Sequence, residues 1–298
     1  MTCDANRTAL KRTKFLEEKG FKTVRFFPEE TKNNTSQVAP RGIGNAIQGV
    51  LRQCIKKMGD VIFQVDLEAA VRYSLRQKVS AVQTTKGNQL EALAAYLQVL
   101  KKYFPFYYNS SSFIDELLTL TSNSGAITGL QIEEIVKRAE SNGTFSSTLK
   151  FLGLWRLFHY LTVNSALLNI NNKWTNHREV LDAMHGYVKY FFGCAHCSQH
   201  FQQMAAERNI TEVPSLESSI LWLWESHNVV NARLKGDPTE DAEYPKKQFP
   251  DRIRCPECVD DDGSWKKEEV LKYLKRMYSN ANVRYIGTDT YVLFRGLG

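Results

Sequence analysis

The 298-residue sequence predicts an all-α protein built from two helical parts. Three observations predict it. Apolar residues recur at helical spacing in segment after segment from about residue 44 onward, and strand-type alternation is scarce. A polar break, Ser141-Asn142-Gly143-Thr144 then Ser146-Ser147, divides a chemically plain first half from a second half dense in Trp, His and Cys.

Residues 1–43 are rich in Lys, Thr and Asn, carry Pro28 and Pro40, and lack periodicity; they are expected to be a poorly ordered N-terminal segment. Residues 44–143 read as a helix-rich, non-catalytic domain. Val50, Leu51, Cys54 and Met58 share one helical stripe, which makes Cys54 a buried core thiol. Leu67, Ala70, Val71 and Leu75 repeat the pattern over Asp66–Lys78. Leu90, Leu93, Leu97 and Leu100 place a third helix that stops before Pro105, and weaker patterns place two more near 111–121 and 130–140. Residues 144–286 form the second domain, with helices at about 153–170, 177–191, 195–208, 216–235 and 266–278. A long loop runs from Asp237 to Pro256, short strands are expected near Val283–Ile286 and Tyr291–Phe294, and residues 287–298 are a tail.

Composition excludes several function classes. The net charge of +7 is spread thinly, and its densest runs, Lys246-Lys247 and Lys266-Lys267, lack interleaved aromatics, so nucleic acid is not expected as a partner. No stretch approaches the roughly 20 apolar residues of a membrane span. Met1 is followed by polar sequence without the apolar core of a signal peptide. Sequons beginning at Asn6, Asn33, Asn34, Asn109, Asn142 and Asn209 nevertheless point to a glycoprotein of the secretory pathway, in the ER/Golgi lumen or secreted.

Four of the six cysteines form two C-x2-C pairs, Cys194/Cys197 and Cys255/Cys258; Cys3 and Cys54 stand alone. Such pairs serve as zinc ligands, redox dithiols or local disulfides. Phe191-Phe192-Gly193 before Cys194 reads as a helix end and a glycine turn that opens a new helix. A thiol at a helix N-terminus meets unpaired N–H groups and the positive dipole end, which favour the reactive thiolate. A zinc ribbon wants about 15–20 residues between its pairs, whereas 57 separate Cys197 from Cys255. A long loop could still join the pairs, so a zinc-stabilised helical binding module is the competing reading; a thioredoxin fold lacks the βαβ alternation it needs.

In the helix at 216–235, Trp224, His227, Asn228 and Asn231 fall on one face, beside an apolar stripe of Ile220, Leu223, Val230 and Leu234. A polar-aromatic stripe of this kind suits a partner that both stacks and hydrogen-bonds, such as adenine–ribose or flavin. Trp155 and His159 form a similar pair four residues apart, and His200 lies one turn beyond Cys197.

The strings Leu154–His159, Tyr190–Phe201 and Trp224–Leu234 resemble the quiescin sulfhydryl oxidase family. Residues 150–285 are similar to its Erv-like flavin domain, and the preceding helical region, from about 45, to the inactive region before that domain. The resemblance implies a small helical bundle holding FAD, with Trp155, His159, His196, His200, Trp224, His227, Asn228, Asn231, Lys246 and Phe249 as cofactor contacts. It implies Cys197 as the flavin-proximal thiol and Cys194 as the outer thiol. Cys255 and Cys258 match a distal pair whose loop setting suits a structural disulfide. Leu152 stands where the family usually has a cysteine, Lys150 is near the place of a flavin-contacting arginine, and Phe249 replaces a tryptophan. The implied activity is oxidation of protein dithiols with transfer of electrons to O2, giving H2O2. The implied donor is a thioredoxin-type domain, absent from this chain, or reduced protein thiols; the chain is expected as a monomer or homodimer, without a metal.

Overall fold

The computed structural model describes residues 61–106, 111–142, 153–172, 176–237, 240 and 245–284. The stripe through Val50–Met58, Cys3, Lys150, Leu152 and the strand expected at Tyr291–Phe294 lie outside the described residues.

Apolar periodicity translates into helices almost segment for segment. β1 (Ile62–Phe63) leads into α1 (Gln64–Tyr73), which continues as a wider π-helical turn, Ser74–Val79. Sequence periodicity marks this as one plain helix. In the structure, Ser80 N–H donates to the Leu75 carbonyl at 2.9 Å, a five-residue step. Ser74 Oγ meanwhile bonds the Val71 carbonyl at 2.7 Å and the Tyr96 hydroxyl at 2.8 Å. α2 is Asn88–Tyr103, ending as expected before Pro105, and α3 is Ser112–Asn123. α4 is Gly129–Ser141, opened by a Thr128–Gln131 capping box that satisfies two otherwise orphaned donors.

A short antiparallel pair, β2 (Thr84–Lys86) with β3 (Ala126–Thr128), ties these helices together. The sequence reading missed it because three residues are too few to show alternation. The turn beside it has no spare volume. A β-carbon on Gly129 would lie 2.0 Å from the Ser80 carbonyl oxygen and 2.7 Å from that of Val82.

The helices of the cysteine-rich part follow: α5 (Leu154–Leu168), α6 (Glu179–Phe191), α7 (Ala195–Glu207), α8 (Leu216–Leu234) and α9 (Lys267–Met277). β4 (Val283–Arg284) pairs in parallel with β1. The all-α expectation holds, the strands being only short ties.

Residues of both expected parts fill one core. Gly186 of α6 lets α2 approach until its missing β-carbon would be 3.0 Å from Ala92 Cβ. Tyr96 of α2 packs against Tyr187 of α6 and Phe158 of α5, with ring centroids 4.8 and 6.2 Å apart. At the far end of the same interface Tyr103 donates its hydroxyl to Glu179 at 2.9 Å, and Lys102 pairs with the same carboxylate. Asp66 of α1 faces Arg156 of α5 at 3.7 Å; burial raises the Asp66 carboxyl above its ordinary range, and Arg156 opposes that rise.

Gly129→Ala should lower unfolding free energy by about 2 kcal/mol or more, because backbone carbonyls must move to admit the methyl group. Urea unfolding of the purified chain measures it; an unchanged midpoint would show that this turn has slack.

Candidate active site

Gly193 adopts φ +82°, a left-handed conformation that reverses the chain between α6 and α7. Cys194 then becomes the N-cap of α7, its Sγ accepting the Cys197 N–H at 3.2 Å. The two cysteines form a disulfide, Cα–Cα 5.2 Å, and both are half-buried. Ser198 Oγ anchors the helix start by donating to the Val188 carbonyl at 2.9 Å.

Phe201 lies four residues beyond Cys197 and carries the site inward. Its ring is 6.4 Å from that of Trp155 on α5. Trp155 in turn stacks on His227 of α8, centroids 4.4 Å apart and planes 7° from parallel. His227 Nδ1 meets His159 Nε2 at 3.1 Å, so one ring donates and the other accepts. His159 is 1 % exposed, stacks on Tyr278 at 5.0 Å, and keeps a buried Nδ1 with no partner among the described residues. Phe249 closes the cluster, 6.4 Å from both histidine rings. Trp155, His159, His227 and Phe249 thus meet, as expected of a shared site; Phe201 and Tyr278 complete them. Phe201 could have been found from its spacing to Cys197, whereas nothing in the sequence around Tyr278 marks it.

Burial dominates the electrostatics of the pair. It pushes His159 far below its ordinary range, with repulsion from His227 second, and lowers His227 to about 4, with Lys246 second. Both rings are neutral at pH 7. His196 and His200 face each other on α7 at 2.9 Å between Nε2 atoms; desolvation lowers His200, helped by His196 and Arg233.

The polar face of α8 has a second task. Trp224 donates its indole N–H to the Phe249 carbonyl, Asn228 Nδ2 donates to the same oxygen at 2.8 Å, and Asn228 Oδ1 accepts the Phe249 N–H at 2.8 Å. Asn231 Nδ2 donates to the Lys247 carbonyl at 3.0 Å. These side chains hold the 247–249 strap across the helix. Trp224 is 2 % exposed and packs on Trp265, so its ring belongs to the core beneath the strap.

Cys255 and Cys258 are disulfide-bonded and fully buried. The Cys258 carbonyl accepts Lys266 N–H at 2.9 Å, which sets the entry to α9. Zinc coordination needs free thiolates, but each C-x2-C pair is closed on itself, and no metal-ligating cluster occurs among the described residues. The zinc-module reading therefore has no support.

Comparison with known proteins agrees with this geometry. Residues 60–153 match the model of flavin adenine dinucleotide (FAD)-dependent sulfhydryl oxidase, and residues 152–250 that of the Erv1 / Alr family. The solved sulfhydryl oxidase fragment of human QSOX1 is 34% identical, with a TM-score of 0.68, covering 76% of this chain and 98% of that one. The chain belongs to the sulfhydryl oxidase family. Human sulfhydryl oxidase 1 is 34% identical over 90% of this chain, and human sulfhydryl oxidase 2 is 32% identical over 79%. The chain spans 39% and 36% of those relatives' lengths. The cofactor of this domain type is FAD, and the residues present fit it. The exposed part of the Trp155–His227 stack suits a planar heterocycle, the His159 Nδ1 has no partner among the described residues, and Lys246 could offer a cation to the diphosphate.

A pH consequence follows from the two neutral histidines. Their folded pKa values lie below the unfolded value near 6.5, so acid favours the unfolded chain. Stability should be full above about pH 7 and fall toward pH 4, by about 1.4 kcal/mol per pH unit for each histidine. His227→Gln should roughly halve that slope. Denaturant titrations at pH 5, 6 and 7 test this; a flat profile would mean the rings are solvated.

Proposed function

We propose that this chain is the catalytic portion of a FAD-dependent sulfhydryl oxidase that turns protein dithiols into disulfides. The observation that carries this reading is the half-buried Cys194–Cys197 disulfide at the start of α7, one turn from the aromatic cluster of Phe201, Trp155, His227 and His159. FAD held there would supply the two-electron chemistry that links each dithiol to O2, giving H2O2.

The residues divide the work. Cys194, as N-cap, is the sulfur an incoming thiolate attacks; the S–S bond breaks, Cys194 joins the donor in a mixed disulfide, and Cys197 leaves as a thiolate. Trp155, His159 and His227 would hold FAD by stacking, Lys246 would offer it a cation, and His196 and His200 would flank it on the side of α7. Asn228, Asn231 and Trp224 serve through the strap that places Lys246 and Phe249. The donor is a thioredoxin-type domain or a reduced protein thiol, and the chain works as a monomer or homodimer.

The division at 144 gives the chemistry to residues 144–286 and a supporting role to 44–143. The secretory pathway, ER/Golgi lumen or beyond, is the proposed compartment. The disulfides favour it, and so do the sequon asparagines Asn142 and Asn209, both exposed.

The purified chain should be yellow and consume O2 when dithiothreitol is added. Cys194→Ser and Cys197→Ser should each reduce uptake to background while flavin content persists. Oxygen uptake that survives both changes would sink the proposal. In contrast, Cys255→Ser/Cys258→Ser should keep its flavin but lose about 2 kcal/mol of stability, the value for closing so short a loop. Loss of turnover in a folded, flavin-loaded double variant would instead assign that pair a redox role.

A further inference from the structure

Lys78 lies in the π-helical turn that ends α1, in the helix-rich part of the chain. A β-carbon placed on Gly193 would be 3.1 Å from Lys78 Nζ and 3.5 Å from its Cδ, so the lysine tip rests against the turn immediately before Cys194. The side chain is half-buried, and its Nζ is 5.2 Å from the centre of the Tyr73 ring, a cation–π contact that orients it. No carboxylate among the described residues is paired with it. Charged and titratable groups on the adjoining elements include Lys189 at the end of α6, His196 and His200 on α7, Arg233, which acts on His200, and, on the helix that carries Lys78, Arg72 and Arg76, both paired with Glu140 of α4. The acid among them, Glu140, is taken up by Arg72 and Arg76.

We propose that Lys78 is a positioning residue for thiol exchange: its ammonium stabilises the Cys194 sulfur as a thiolate. This rests on the reading of Cys194 as the outer thiol. In the first exchange step the donor thiolate bonds to Cys194 and Cys197 takes the electron pair of the broken S–S bond. In the second, the donor's other thiolate attacks the donor sulfur of the mixed disulfide. The donor leaves as a disulfide, and the bonding pair stays on Cys194. A lower-pKa thiol leaves faster, and both the α7 N-terminus and the Lys78 charge act in that direction. Glycine at 193 serves the same end, since its left-handed φ makes the turn and its missing side chain admits the lysine.

The test uses the full chain carrying Cys197→Ser. The pH dependence of iodoacetamide alkylation, followed by mass spectrometry on the Cys194 peptide, reads the thiol's pKa. Adding Lys78→Met or Lys78→Gln should raise that pKa by about one unit, the low end of the range for a neighbouring opposite charge. Lys78→Arg should restore it. In the chain with both cysteines, either neutral variant should slow dithiothreitol-driven oxygen uptake about threefold. An unchanged pKa in whichever neutral variant folds would overturn the inference. So would equal behaviour of Lys78→Gln and Lys78→Arg, which would mark a structural role. The underlying reading is tested separately with glutathione disulfide. Faster labelling of Cys194 in Cys197→Ser than of Cys197 in Cys194→Ser supports it; the reverse order overturns the outer-thiol assignment whatever Lys78 does.

Discussion

The close packing of α6 against α2 is the constraint on which the rest depends. Gly186 brings the two helices close enough that an added β-carbon would stand 3.0 Å from Ala92, and Tyr96 and Tyr187 fill the space beside it. Both tyrosine hydroxyls sit in the interior, and burial raises both well above the ordinary range, so the middle of the interface stays neutral while its charged pair, Lys102–Glu179, lies at the far end. With α6 held this way, the place where it ends is settled, and so is the turn that follows. Gly193 and Cys194 then leave the disulfide half-buried at the start of α7.

The same packing gives the helix-rich part a direct bearing on chemistry. Neither C-x2-C pair lies in it, yet its π-helical turn delivers Lys78 to Gly193, against the turn that precedes Cys194.

At the other side of the disulfide, neutrality is again imposed by burial. His159 and His227 share one hydrogen bond and stack among aromatic rings, so charging either would place an imidazolium in a poorly solvated site. This favours a flat, polarisable partner above an anion at that point, with the positive charge kept outside on Lys246. The strap carrying Lys246 and Phe249 is secured by Asn228 in both directions, as donor and as acceptor.

The local elements were written in the sequence. Helical periodicity located α1 through α9 to within a few residues because each buries one apolar stripe, and period 3.6 is a local property. The C-x2-C after a glycine, and the pairing of Trp155 with His159, were equally readable because their spacing lies within one or two turns. What needed the tertiary structure was every choice of partner across the chain. The stripe of Trp224, Asn228 and Asn231 announced a polar partner but not that the 247–249 backbone would take its hydrogen bonds. The β2–β3 tie, the stack of Tyr278 on His159 and the placing of Lys78 against Gly193 join residues far apart in sequence. Such contacts follow from how whole helices pack, which depends on side-chain shapes summed over an interface; no single window of residues contains that information.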